Sequence, residues 1–249
     1  MILEARDISK EFKIEQGMFK SEAGRTLALD KVSFVLDEFT TLGVVGESGS
    51  GKTTLAKILL GLVPASSGEI VFNDKFIKDF RKDVQIIFQN PYNSLDPKMR
   101  IKDALYEPLL IHNILPRRSF RLKATELLNR VGLDESALER YPVQFSGGQR
   151  QRICIARAIA CEPKLLVLDE PISSLDLTIQ AKLLELFLEL KREFNLTYIF
   201  ISHNLCVIKY IADKVMVMHQ GRVIEEASSS EIFASPSQEY TRELLEAAK

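Results

Sequence analysis

Gly46-Glu47-Ser48-Gly49-Ser50-Gly51-Lys52-Thr53 is the stretch on which the reading of this chain turns. A valine-containing apolar run over residues 40–45 leads into it, and a helical pattern over residues 52–60 leads out. Glycines let a backbone wrap so closely that several N–H groups converge on phosphate oxygens. A helix that starts where the loop ends adds partial positive charge at the same place. In such a loop Lys52 reaches the β- and γ-phosphates of a nucleotide, and the Thr53 hydroxyl binds Mg²⁺. The strand–loop–helix setting separates this arrangement from a glycine-rich turn that merely contains a lysine.

Working outward, short runs rich in valine and isoleucine over residues 40–45, 69–72, 84–88, 165–168, 198–201 and 214–218 read as buried strands. Longer amphipathic stretches separate them. Ile179, Leu183, Leu186, Phe187 and Leu190 follow one helical face, as do Phe120, Ala124, Leu127, Leu128 and Val131. Strands alternating with helices imply crossovers and a mostly parallel sheet, so the predicted class is α/β. Two regions depart from the alternation. The N-terminal part, with a strand-like segment over residues 32–36, has no long helix before Lys52 and is expected to form a small antiparallel β layer. Residues 90–143 carry helical patterns without a convincing strand and read as an α-helical insertion, with Pro91, Pro97 and Pro142 at its edges. The whole of residues 1–249 then forms one domain with that helical subdomain inside it.

The chain has 249 residues, with 33 Lys+Arg against 34 Asp+Glu and a formal charge of −1. That balance removes the positive field nucleic-acid binding requires. No apolar run approaches the ~18 residues of a membrane span, and the first residues lack the basic-then-apolar pattern of a secretory signal. Cys154, Cys161 and Cys206 lack metal-ligand spacing and are expected to be small buried residues in a reducing compartment.

Two further clusters carry chemistry. Residues 165–168 end in Asp169 and Glu170, which places Asp169 at the carboxyl end of a strand, where parallel sheets bind ligands. Asp169 is the expected partner of Mg²⁺, and Glu170 is suited to polarise an attacking water. Phe145-Ser146-Gly147-Gly148-Gln149 precedes a helical run and forms a second anion cradle by the same physics, unless Ser146 is a plain helix cap.

With these residues assembled, the chain resembles the ATPase subunit of an ABC transporter, a P-loop NTPase, over nearly its whole length. Ser146, Gly147, Gly148 and Gln149 are similar to the family's signature, usually preceded by leucine rather than Phe145. The resemblance implies two ATPase subunits facing head to tail, each ATP clamped between one subunit's Gly46–Thr54 loop and the other's signature. Within the loop, Gly46, Glu47, Ser48, Gly49, Ser50, Gly51, Lys52, Thr53 and Thr54 are then the ATP-binding residues. It also implies that Gln89 contacts Mg²⁺ and senses the membrane partner. Asp176, in Ser174-Leu175-Asp176, then lies in a dimer-contact loop, and His203 is the switch histidine near the γ-phosphate. Phe12 stands where the family often stacks an aromatic on adenine, with Phe19 the competing candidate. His112 and His219 match nothing and read as structural.

Within the family the closest resemblance is to importers of oligopeptides, dipeptides and nickel, through Phe88-Gln89-Asn90-Pro91-Tyr92-Asn93-Ser94-Leu95-Asp96-Pro97, Tyr141-Pro142 and Tyr240-Thr241. This implies a heterodimer with a second ATPase subunit at the cytoplasmic face of the membrane, beneath two permeases fed by an extracellular substrate-binding protein. The helical insertion would dock against short permease helices. Relatives with longer tails hold an iron–sulfur cluster there. No cysteine follows Cys206, so no cluster is expected, and the short tail leans toward nickel or metal-chelate cargo over peptides. The competing readings are a soluble ABC-type ATPase acting on ribosomes or DNA, which usually carries two ATPase units or a long coiled coil, and a regulatory subunit without turnover. Intact Lys52, Asp169, Glu170 and His203 argue against the second of these.

Overall fold

The computed structural model describes residues 1–16, 21–89 and 94–247, so Phe19, Asn90, Pro91, Tyr92 and Asn93 lie outside the described residues. The chain divides into two units, Met1–Ile77 with Thr197–Lys249, and Lys78–Leu196.

In the first unit, β1 (Leu3–Gln16), β2 (Ser21–Leu36) and β4 (Ser67–Phe72) form an antiparallel sheet in the order β2-β1-β4. This is the N-terminal layer the sequence implied, and β1 is a strand the sequence reading did not include. Its alternation is broken. Leu3 and Ala5 are buried at odd positions, and Ile8 is buried at an even one. Between them the register with β2 shifts and Asp7 turns to a φ of +49°. A bulge inserts one residue and moves the inward-facing set to the other parity.

The second sheet of this unit holds β3 (Thr41–Val45) between two parallel neighbours, β7 (Thr197–Ile201) and β8 (Lys214–His219). Every residue of β3 and β7 is buried, which is why both read as continuous apolar runs rather than alternating ones. β9 (Arg222–Ser228) runs antiparallel to β8 and was also not expected. Gln220 and Gly221 join the two strands with φ of +47° and +81°, the double positive φ of a tight hairpin turn. The helices of this unit are α1 (Lys52–Leu59), then α7 (Leu205–Ile211), α8 (Ser229–Ala234) and α9 (Glu239–Glu246).

The second unit pairs β5 (Val84–Ile87) parallel to β6 (Leu165–Asp169), with Val84 opposite Leu165. Its helices are α2 (Phe80–Asp83), α3 (Ile101–Ile111), α4 (Phe120–Arg130), α5 (Gly147–Ile159) and α6 (Leu177–Phe194). Phe120, Ala124, Leu127, Leu128 and Val131 are all buried, as are Leu183, Leu186, Phe187 and Leu190, while Ile179 of the same face is half-buried, so the 3.6-residue periodicity located both inward faces. Among the described residues between 94 and 143 there is no strand. Cys154 and Cys161 are buried as expected, but Cys206 is exposed. It sits on the outer side of the first turn of α7, whose buried residues are Leu205, Val207, Ile208 and Ile211.

Asp213 fixes the start of β3. Its carboxylate accepts from the Thr41 N–H at 2.7 Å, and its own N–H donates to the Thr41 carbonyl at 2.9 Å. A charged acceptor on a buried amide is worth about 1.5–3 kcal/mol. Asp213→Ala should therefore lower unfolding free energy in urea by about 2 kcal/mol, while Asp213→Asn, which keeps an acceptor, loses less than half of that.

Candidate functional site

β3 ends at Val45, and the chain turns at once into the glycine loop. Gly46 has φ +149°, and a Cβ there would stand 2.1 Å from the Met218 carbonyl oxygen of β8. Gly51 has φ +106°, and a Cβ there would meet the Ala28 carbonyl oxygen of β2 at 2.6 Å. Both positions need glycine for two reasons, backbone angle and space. A side chain at Gly49, by contrast, would meet nothing within 4 Å, and Glu47 and Ser48 are exposed, so the outer face of the loop is open.

Lys52 is buried. Its ammonium donates to the Gly46 carbonyl at 2.7 Å, the Glu47 carbonyl at 2.8 Å and Ser50 Oγ at 3.3 Å. The loop is thereby folded around its own lysine. Gly51 is the N-cap of α1 and, as glycine, supplies no side-chain cap to its first turn. A closely wrapped glycine loop, a helix start with glycine as its N-cap and a centred ammonium are the donor set a polyphosphate requires. The exposed Thr53 hydroxyl, one residue into the helix, is an oxygen ligand of the kind Mg²⁺ takes.

The loop is held from a direction the sequence reading missed. The Gly221 N–H donates to the Ser50 carbonyl at 3.0 Å, and the Gly221 carbonyl accepts from the Asp30 N–H at 2.9 Å. The Gln220-Gly221 dipeptide between two strand-like runs was the available signal.

His203 lies two residues beyond the end of β7 and is exposed. The segment carrying it is tied down on both sides. The Ser202 N–H donates to the Val44 carbonyl at 3.2 Å, one residue before the end of β3. Asn204 caps α7, its Oδ1 accepting from the N–H groups of Cys206 and Val207. The His203 segment thus lies beside the strand that feeds the glycine loop. Phe12 stands opposite Thr26 on β2, 41% exposed, with the Lys10 ammonium 5.1 Å from its ring centroid. His219 packs against Tyr240 with ring centroids 4.1 Å apart and planes tilted by 45°, a structural contact.

In the second unit Asp169 is the buried last residue of β6, and Glu170 follows with φ +49°. A non-glycine residue there is strained by about 1–3 kcal/mol. The turn absorbs this by returning two hydrogen bonds to the Glu170 carbonyl, from the Ser173 N–H at 3.3 Å and the Ser173 hydroxyl at 3.2 Å. Gln89 Nε2 donates to the Glu170 carboxylate at 3.1 Å and to Ser173 Oγ at 3.4 Å. The sequence singled out Gln89 and Glu170 separately and did not single out Ser173, which links them.

Ser146 caps α5 in a reciprocal capping box. Its Oγ accepts from the Gln149 N–H at 3.3 Å, while Gln149 Oε1 accepts from the Ser146 N–H at 3.0 Å. The plain helix-cap reading of Ser146 is therefore correct as far as it goes. The cap uses the hydroxyl as an acceptor and leaves its O–H proton to donate elsewhere. Ser146 and Gln149 are exposed, and a Cβ on Gly148 would collide with Ile179 Cγ2 at 2.8 Å, so glycine there sets how closely α5 approaches α6. Asp176 caps α6, its Oδ1 accepting from the Ile179 N–H at 2.9 Å.

Residues 29–173 match the ABC transporter family. The chain is 45% identical over 254 residues to the di/tripeptide transport ATP-binding protein DppF of Pseudomonas aeruginosa strain UCBPP-PA14, covering 99% of this chain and 78% of that protein. It is 44% identical to the oligopeptide transport ATP-binding protein AppF of Bacillus subtilis strain 168, covering 98% and 77%. Its fold is similar to the dimeric post-hydrolysis structure of the ATP-binding cassette MJ0796 bound to ADP and Pi, with a TM-score of 0.78 and 26% identity over 92% of this chain and 99% of that one.

If the Ser146 hydroxyl is worth an ordinary cap, Ser146→Ala lowers the stability of the isolated chain by about 1 kcal/mol in urea. Ser146→Asn, an equally good cap, should restore it.

Proposed function

Because the chain belongs to the ABC transporter family, as an ATP-binding subunit that hydrolyses ATP, we propose that it powers import of short peptides through a membrane permease pair. The observation that carries the nucleotide half is the buried Lys52 ammonium inside its glycine loop. The names of DppF and AppF, a di/tripeptide and an oligopeptide transporter, support peptides over nickel or a metal chelate. Among the described residues no helix is long and apolar enough to cross a membrane. That fits a peripheral subunit beneath permeases at the cytoplasmic face. The reading as a ribosome- or DNA-directed ATPase has no observation in its favour.

In this reading Gly46 through Thr54 bind the ATP phosphates, and Lys52 exchanges carbonyl partners for β- and γ-phosphate oxygens. The exposed ring of Phe12 is a stacking surface for adenine. Thr53, Gln89 and Asp169 hold Mg²⁺, which when bound neutralises charge on the phosphate oxygens. Glu170 accepts a proton from the attacking water, and His203 donates toward the γ-phosphate. The Gln89 amide donates to one oxygen of the Glu170 carboxylate and so helps to orient the group that accepts from water. Exposure of Ser146 and Gln149 supports the head-to-tail pairing with a second ATPase subunit, whose γ-phosphate would receive the Ser146 O–H and the N–H groups of α5. Asp176 then lies at the dimer contact. Residues 90–143 are the proposed helical subdomain and the surface that meets the permeases, which are fed from outside by a substrate-binding protein.

Lys52→Ala should weaken ATP binding about tenfold or more, the loss expected for a charge-assisted hydrogen bond to phosphate. Uptake of a radiolabelled tripeptide in cells carrying it should fall to background while nickel uptake stays normal. Loss of nickel entry with normal peptide entry would reverse the cargo. Glu170→Gln should keep ATP binding and lower turnover about 10²–10⁴-fold; an unchanged hydrolysis rate would remove Glu170 from its role.

A further inference from the structure

On the first unit, α7, α8 and α9 enclose a groove of about 360 Å³ that no part of the proposed ATPase chemistry uses. Leu205, Phe233 and Leu245 give it an apolar lining, and Lys209, Arg242 and Glu246 stand around that lining. The volume lies within the range of small-molecule sites, and an apolar surface with a few convergent charges is their usual make-up.

The charges are set but not neutralised. Arg242 is positioned by donating to the Ser237 carbonyl at 3.2 Å and the Gln238 carbonyl at 3.4 Å, which leaves further N–H groups of its guanidinium for a ligand. The Lys209 ammonium lies 5.6 Å from the centroid of the Phe233 ring. Among the described residues neither cation forms an ion pair, and neither does Glu246. Two cations and one carboxylate around an apolar floor complement a ligand with a carboxylate at one end, an ammonium at the other and an apolar side chain between.

We propose that this groove binds a short free-ended peptide with an apolar side chain, its carboxylate on Arg242 and Lys209 and its ammonium on Glu246. That such a peptide is returning cargo rests on the peptide-import reading above; the binding itself does not. The groove also has a route to the reaction. Leu205 and Cys206 form the first turn of α7, which Asn204 caps immediately after His203. An occupant that braces this turn bears on the segment carrying His203.

Cys206 lines the groove and is exposed, whereas Cys154 and Cys161 are buried, with burial pushing their thiols up to about 12 and about 11. Alkylation of the full chain by a maleimide near neutral pH therefore reports Cys206. The dipeptide Leu-Phe should slow that alkylation saturably. Arg242→Ala should raise the half-protecting concentration about tenfold or more. Glu246→Gln should weaken protection by Leu-Phe but not by N-acetyl-Leu-Phe, which has no ammonium. No protection, equal protection in all variants, or protection by octanoate as strong as that by Leu-Phe overturns the proposal. Normal tripeptide uptake by the same chain, measured alongside, shows that such a failure belongs to the groove and not to the cargo reading. Protection without peptide uptake overturns the return of cargo.

Discussion

A buried ammonium governs the first unit. Removing a charge from water costs several kcal/mol unless polar atoms replace the lost solvent, and around Lys52 two carbonyls and a hydroxyl do so. To bring those oxygens inward the loop must close tightly, which demands positive φ at Gly46 and Gly51. Those glycines in turn lie against the backbone of β8 and β2, so the loop's shape is fixed only when both strands are in place. A loop already solvating a cation with its own oxygens can pass that cation to phosphate with little rearrangement, because the donors that meet the anion are positioned beforehand.

Much of this was legible in the sequence, and the exceptions share a cause. The six strand-like runs each became a strand; β3, β6 and β7 are buried throughout and are written as unbroken apolar runs, and β4 shows through Ile70-Val71-Phe72 although its positions are only half-buried or exposed. β1 and β9 escaped because they are not written that way. The bulge at Asp7 switches which residues of β1 face inward, and β9 has only half-buried or exposed positions. The ends of the six runs moved by at most two places, whereas the strand expected over residues 32–36 begins at Ser21. Residue types at the site were legible, since glycine, lysine and paired carboxylates announce their chemistry. Their supports were not. Ser173 and Gly221 act through one hydroxyl and one amide, which carry no signal until the chain is folded. Cys206 was misjudged because its side of a short helix depends on which neighbours turn inward.

Two side chains at the proposed site serve structure and chemistry at once. Ser146 holds the start of α5 through its lone pairs and keeps a proton to give away. Glu170 is held in a strained backbone conformation by Ser173, and its carboxylate is engaged by Gln89. Strain at such a position narrows where the carboxylate can point, which favours a residue that must meet one water in one orientation. In both places the group with a chemical task is fixed by a bond that leaves that task open.

The tie between Gly221 and Ser50 has a consequence for how the protein is made. β3 and the glycine loop leave the ribosome well before their partners β7, β8 and the turn at Gln220 and Gly221, which lie far downstream in the chain. Contacts so distant in sequence form late, after the intervening loop entropy has been overcome. A nascent chain halted in the second unit carries the complete glycine motif in its sequence with neither parallel neighbour of its strand. It therefore depends on protection of that apolar strand during synthesis, and it acquires the nucleotide loop only once β8 and the turn at Gln220 and Gly221 have been made.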